Sequence, residues 1–475
     1  MGRGKVHGIG LVGLVGLAVA GCSQGPRHSA VTTGPGSTSA ASTPSAPDAQ
    51  QVLLAASADA TLDAPSGSSA SASAAPSRTT AGPASTPSRR ASVQRDAFVE
   101  FGADASIEDA KAEPLADLLY VVESDGTLRV LDTSGERPSL VRAFLLFPEP
   151  LGRARGVGEL ELVSADLALL PTQGAGFEGI ALFDPREARS AEDVTWFDVG
   201  ALSATWPAGA TNSQGVDVSE RPLRLTEVTG TTVVGDTLFL CAANLDAEGD
   251  HNPGVVLALR LDALARQLDP LALLRTSAFN PTGLTRVGDL LFVTNTGSFG
   301  QTGASIDVID VRSARRLDTI AFPERLADGR VPDPCGPLAV QPGGFEAYVG
   351  SLEQARVYRV DLRTRTFVDD VTLPRAAARN STRELTLSQD GATLYAANAE
   401  AGGVSAIDVA TQEVTALAPR AGDRGRVSEV VVQPTRDGGE ALLALVNDVP
   451  PAARQQPDVR ASLDRVALPA AAAPR

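Results

Sequence analysis

The chain has 475 residues, with 41 Lys+Arg, 57 Asp+Glu and three His, and a formal net charge of −16. Residues 96–475 hold 34 basic and 54 acidic side chains, a net of −20, so a duplex or an anionic membrane surface repels them and no nucleic-acid partner is expected. Three Cys exclude a disulfide-dense scaffold, and 4% aromatic content with one Met calls for a core of Val, Leu, Ile and Ala.

Residues 1–22 read as an export signal. Arg3 and Lys5 give a positive start, and Ile9 to Ala20 is an apolar stretch too short to span a bilayer comfortably. The segment ends Leu17-Ala18-Val19-Ala20-Gly21-Cys22. This resembles the bacterial lipoprotein lipobox. The resemblance implies lipidation of the Cys22 thiol, cleavage before it, and the lipid bilayer as a partner through the acylated residue. Each buried CH₂ contributes roughly 0.8 kcal/mol, so several acyl chains anchor stably. Ser23 follows, where an Asp would suggest retention in the inner membrane. The implied address is the cell envelope, and the outer membrane if the cell has two.

Residues 23–95 are dominated by Ala, Ser, Thr, Pro and Gly. Such a tract cannot bury enough apolar surface to offset its ordering entropy, so a disordered tether is expected.

Residues 96–475 repeat one phrase: strand, turn, strand, Asp. Leu118 to Val122 leads through Asp125-Gly126 to Leu128-Arg129-Val130-Leu131-Asp132. The later units end at Asp184, Asp262, Asp310, Asp361, Asp408 and Asp464. The interval from Asp184 to Asp262 is the long one and holds an insertion around 199–221, with Trp206. The Asp suits a turn in which its carboxylate bonds nearby backbone amides. Each unit has room for four short strands with period-2 apolar alternation. Radial packing of four-stranded sheets buries both faces of such strands and leaves only protected edges. The expected fold is all-β: a seven-bladed β-propeller of four-stranded antiparallel blades over 96–475.

Ser388-Gln389-Asp390-Gly391-Ala392-Thr393-Leu394-Tyr395-Ala396-Ala397-Asn398, followed by Val404-Ser405-Ala406-Ile407-Asp408, resembles the repeat of the YVTN, or YncE-like, β-propellers. Leu291-Phe292-Val293-Thr294-Asn295 is a second near match. The resemblance covers about three quarters of the chain. It implies a fold rather than an activity, because propellers host many functions.

Two groups of residues could carry chemistry. Glu159, Glu227, Glu384 and Glu429 stand at the head of four presumed innermost strands, with Gly283 and Pro337 in the matching place of two others. Carboxylates converging on a propeller axis raise one another's pKa, hold a cation, or bond to neighbouring backbone amides. The third unit's loop carries Asp246, Glu248, Asp250 and Asn252, alternating oxygen ligands of the kind that wrap Ca²⁺, although no EF-hand pattern is met. No cofactor is assured, and Ca²⁺ is the candidate. His251, the one His outside 1–95, reads as a solvated loop residue, which argues against a Ser-His-Asp hydrolase. Cys241 reads as core, and a Cys241–Cys335 disulfide stays open. The expected function is a membrane-anchored envelope lipoprotein whose propeller binds a protein, peptide or glycan without catalysis. The alternative is a metal-dependent lactonase-like or quinoprotein-like propeller enzyme.

Overall fold

The computed structural model describes residues 55–56, 99–100, 107–112, 117–135, 138–149, 151, 156–173, 178–246, 249–298, 303–374, 381–382, 384–399, 403–417, 426–434, 440–447 and 462–466. The expected signal with Cys22 lies outside them, as does the expected linker except for Ala55–Ala56.

The repeated phrase folds as expected into antiparallel hairpins, and the fold is an all-β propeller. In the first unit Ile107–Ala112, Leu118–Glu123, Thr127–Asp132 and Ser139–Leu145 pair in chain order. The second strand is buried on both faces after its first residue, which is why it reads as a continuous apolar run. The recurring Asp closes the third strand's turn with its own carboxylate. Asp132 Oδ1 accepts from the Ser134 amide, Asp310 Oδ1 from Ser313 and Asp408 Oδ1 from Thr411, each at 2.8 Å. That bond holds the turn residues off the ladder and releases the chain into the outer strand.

The blade count is corrected. Among the described residues six sheets are four-stranded blades, not seven. The second unit is instead a five-stranded sheet, in which Gly156–Val157 and Glu161–Ser164 both pair with Leu167–Gln173. Its inner edge is broken at 158–160, so one strand of the repeat becomes two short ones. The last unit is also shifted. Its third strand is Ser462–Val466, which puts Asp464 inside a strand and not at a turn. Its fourth strand comes from the other end of the chain: Val99–Glu100 pairs with it through Val99↔Leu463 and Glu100↔Ser462. The last unit is therefore completed by a strand from before the first unit.

Apolar clusters fill each junction between neighbouring sheets. Ala110, Leu119 and Val121 of the first unit pack with Leu443 and Leu445 of the last, so the ring closes. Trp206 of the insertion is fully buried against the second and third units, with the Arg275 guanidinium 5.8 Å over its ring. The insertion adds a small sheet of Leu202–Thr205 with Pro222–Arg224, to which Ala55–Ala56 also pairs.

Candidate functional site

The pairing register shows which residues share a level on the axis. The second strands place Tyr120, Phe239, Phe292, Tyr348 and Tyr395 opposite Lys111, Thr232, Thr285, Ala339 and Thr386 of the inner strands. In the two units without that aromatic, Leu169 and Leu443 face Glu161 and Val431. Two residues earlier in the chain stand Asp109, Glu159, Gly230, Gly283, Pro337, Glu384 and Glu429. Four consecutive units, the sixth, seventh, first and second, thus carry carboxylates at one level. The other three carry Gly, Gly and Pro.

The glycine half is closed by backbone. A Cβ on Gly283 would lie 2.2 Å from the Gly336 carbonyl carbon, and one on Gly230 would lie 3.4 Å from the Gly283 Cα. The carboxylate half is held apart by side chains. Glu429 Oε2 accepts the Ala110 amide of the next unit at 2.9 Å, and Asp109 Oδ2 accepts the Leu160 amide at 2.5 Å. Each carboxylate clips the sheet that follows it. This is the amide-bonded arrangement that convergent carboxylates allow, realised by Asp109 and Glu429.

Lys111 stands two residues beyond Asp109 and so projects from the same face of its strand. Its Nζ is 3.5 Å from Asp109 Oδ1, 3.9 Å from Glu429 Oε1 and 4.0 Å from Glu159 Oε1. Burial by itself lowers the ammonium's pKa, but Asp109, Glu159, Glu429 and Glu384 together hold it well above its ordinary value. Burial and then the Asp109 charge push Glu429 well above the usual carboxylate range, although Lys111 opposes this. Glu159 is raised by burial and by Asp109, again against Lys111. One ammonium thus faces more carboxylates than it can neutralise.

A solvent-reaching cavity of about 310 Å³ opens beside Lys111 and Glu159. Ala112, Leu160 and Leu162 form its apolar wall, and Glu161 and Thr231 its polar end. Glu161 Oε1 accepts the Val233 amide at 2.9 Å, which ties the second unit to the third. Burial nonetheless raises the Glu161 pKa, against the Val233 amide and the nearby Thr231 hydroxyl. Neither Glu161 Oε2 nor Thr231 Oγ1 has a partner in hydrogen-bonding geometry.

The structure therefore brings Glu159, Glu384 and Glu429 into one cluster and leaves Glu227 out. Glu227 lies three residues before the axial position, which Gly230 fills. It adopts a left-handed backbone (φ 56°), and its pKa is pushed up to about 7 by burial and by the Glu178 charge. The folded state keeps a proton that the unfolded chain gives up near pH 4.5. Its stabilising contribution is present below pH 4.5 and is lost as the pH rises through about 7. Allowing for partial exposure, the domain should lose on the order of 2 kcal/mol from this group between pH 5 and 8. Denaturant melts at the two pH values should show that loss in wild type and its removal in Glu227→Gln. An equal loss in both proteins would show that Glu227 is not its source.

The third unit's loop is braced internally. Asp246 Oδ1 accepts the Asp250 amide at 2.8 Å, and Asn252 donates its amide to the Asn244 carbonyl at 2.9 Å. Glu248 lies outside the described residues. Among the described residues no three His, Cys, Asp or Glu side chains are grouped to hold a metal ion. The solvated reading of His251 is corrected: it is 2% exposed. The insertion folds over it, with Ser213 Oγ accepting the His251 amide at 3.1 Å and the Ser213 amide reaching the His251 carbonyl at 2.8 Å. Burial lowers its imidazole to about 4, so it is neutral at physiological pH. Cys241 is a free, buried thiol, pushed up to about 12 by burial, and is not bonded to Cys335.

Sequence reasoning missed Asp109, Lys111, Glu161 and Thr231. The signal for the first two is the alternation Ile107-Asp109-Lys111, which puts both charges on one face of a strand opposite Tyr120. No family model matches the chain, and no curated protein matches it.

Proposed function

We propose that this chain is an envelope lipoprotein of the YVTN type, anchored through Cys22, whose propeller is a binding scaffold that takes its ligand at the axial half-cavity. The observation that carries the binding reading is the cavity itself. It reaches solvent, it is walled by strands of a closed ring, and its polar end presents acceptors without protein partners. Rigid strands hold such groups in place without an ordering cost on binding. Binding is favoured over metal-dependent catalysis because Lys111 Nζ occupies the place between Asp109, Glu159 and Glu429 that a metal ion would need. The two side chains best suited to nucleophilic or base chemistry, Cys241 and His251, are buried, the first with its pKa raised and the second with its pKa lowered. The anchoring reading is supported by the order and length of residues 1–22 and by the Cys that ends them.

The test has two arms. Cys22→Ala should release the protein from membranes or leave the signal uncut. Processed mutant protein still in the detergent phase would sink the anchor. Fractions of the native envelope added to the purified full chain should raise its melting temperature by several degrees when ligand reaches about a hundredfold over Kd, a gain near 2.7 kcal/mol. Ala112→Phe, which fills the cavity, should abolish that response. A response equal in wild type and Ala112→Phe would remove the ligand from the axis.

A further inference from the structure

We infer that the axial cavity takes a primary alkylammonium group, held by Glu161 Oε2, Thr231 Oγ1 and the Glu159 carboxylate, with its alkyl stem along Ala112, Leu160 and Leu162. The inference rests on the binding reading above and names the chemistry of that site.

Three observations lead to it. First, the acceptors outnumber the donors. Thr231 is 7% exposed and lines the cavity; its hydroxyl lies near enough to Glu161 to lower that carboxyl's pKa, yet neither it nor Glu161 Oε2 makes a hydrogen bond within 3.5 Å. A buried polar atom without a partner carries a desolvation cost that a ligand donor removes. Second, the charge is unbalanced. Asp109, Glu159 and Glu429 all lie within 4.0 Å of one ammonium, and Lys111 is closer to Asp109 and Glu429, at 3.5–3.9 Å, than to Glu159. Glu161, which clips the third unit, is not among its ion-pair partners within 4.0 Å. A second cation therefore has its place at the Glu161–Thr231 end, and the Glu159 side chain, 30% exposed, can be shared between the two. Third, the shape selects among cations. An ammonium offers three N–H donors, which matches three acceptors in one pocket, and the apolar side of the cavity accepts methylene groups. A hydrated divalent ion would leave Leu160 and Leu162 against water, and a guanidinium's planar fork suits one bidentate carboxylate better than three separate acceptors.

The alkylammonium can come from a free amine or from a lysyl side chain, and the test separates them. The purified full chain is titrated calorimetrically at low salt with 1,5-diaminopentane, with Nα-acetyl-lysine amide, and with the neutral isostere Nα,Nε-diacetyl-lysine amide. The expected result is saturable binding of at least one amine with Kd at or below about 1 mM and at least about tenfold weaker binding of the isostere. Tighter binding of the diamine points to a free amine, and tighter binding of the lysine derivative points to a peptide. Glu161→Gln and Glu159→Gln should each weaken binding by about tenfold or more. Glu161→Gln keeps an oxygen for the Val233 amide, so it preserves that clip. Should a Glu variant fail to fold, Thr231→Val removes the hydroxyl with little change of shape and should weaken binding severalfold. The inference is overturned if the isostere binds as well as the amines, if folded variants bind as wild type does, or if no amine saturates below about 10 mM. If amines fail while envelope fractions still stabilise wild type and not Ala112→Phe, the cavity reading stands and the ammonium assignment falls.

Discussion

Deleting residues 455–475 is expected to abolish the cooperative unfolding transition of the domain. The deletion removes Ser462–Val466, which pairs with Glu440–Asn447 through five residue pairs from Leu442↔Val466 to Val446↔Ser462. It also strips Val99–Glu100 of the one strand it pairs with among the described residues. The last unit is left with two strands, and the clasp between the chain's two ends is gone. Val466 is buried, and Leu443 and Leu445 form the junction with the first unit. The loss reaches the axial site as well. Glu429 sits on the inner strand of the same unit and holds the Ala110 amide of the next. In a ring of repeats, stability comes from the junctions, so opening one junction exposes two sheet faces at once. Calorimetry should show a broad or absent transition together with aggregation. A truncated chain that melts cooperatively at the full-length temperature would place the closure of the ring elsewhere.

Gly283→Ala is expected to cost at least about 3 kcal/mol. The added Cβ would meet the carbonyl carbon and oxygen of Gly336 at 2.2 and 2.3 Å and the Pro337 nitrogen at 2.5 Å. All three are backbone atoms, so no side chain can swing away and the fourth and fifth units would have to separate. Thr282 Oγ1 accepts the Gly336 amide and Thr285 Oγ1 the Leu338 amide across the same seam, at 3.3 and 2.7 Å. Both bonds would be strained by that separation. Gly235→Ala is the control. Gly235 sits in an open turn with φ +64°, and its Cβ would touch nothing within 4 Å. Its substitution should cost about 1 kcal/mol through backbone conformation alone. Urea melts of the two variants distinguish packing from φ. Equal losses would mean that the fourth–fifth seam yields and that the glycine half of the axis is not closed as described.

The repeat was legible because it is local. Apolar alternation, Asp-Gly turns and the recurring Asp each act within a few residues, so strand–turn–strand units and their all-β class follow from the sequence. The same locality makes Glu159, Glu384 and Glu429 visible, since each heads a short apolar-rich run that precedes its unit's second strand. Glu227 was misplaced because hairpin length varies. In the third unit Val234 pairs with Thr237 across a two-residue turn, whereas Leu387 pairs with Leu394 across six residues in the sixth. A bulge between Val228 and Gly230 moves the register again. A count along the chain therefore lands on Glu227, and the pairing lands on Gly230. Asp109 and Lys111 were hidden because a strand with two charges on one face does not resemble a strand until its neighbours are in place. The extra strand of the second unit, the Val99–Glu100 clasp and the burial of His251 under the insertion were decided only by tertiary structure. Which segments pair with their neighbours in the chain thus follows from local patterning. Which side chains meet across the axis depends on the register of every hairpin and on ring closure, and no single segment holds that information.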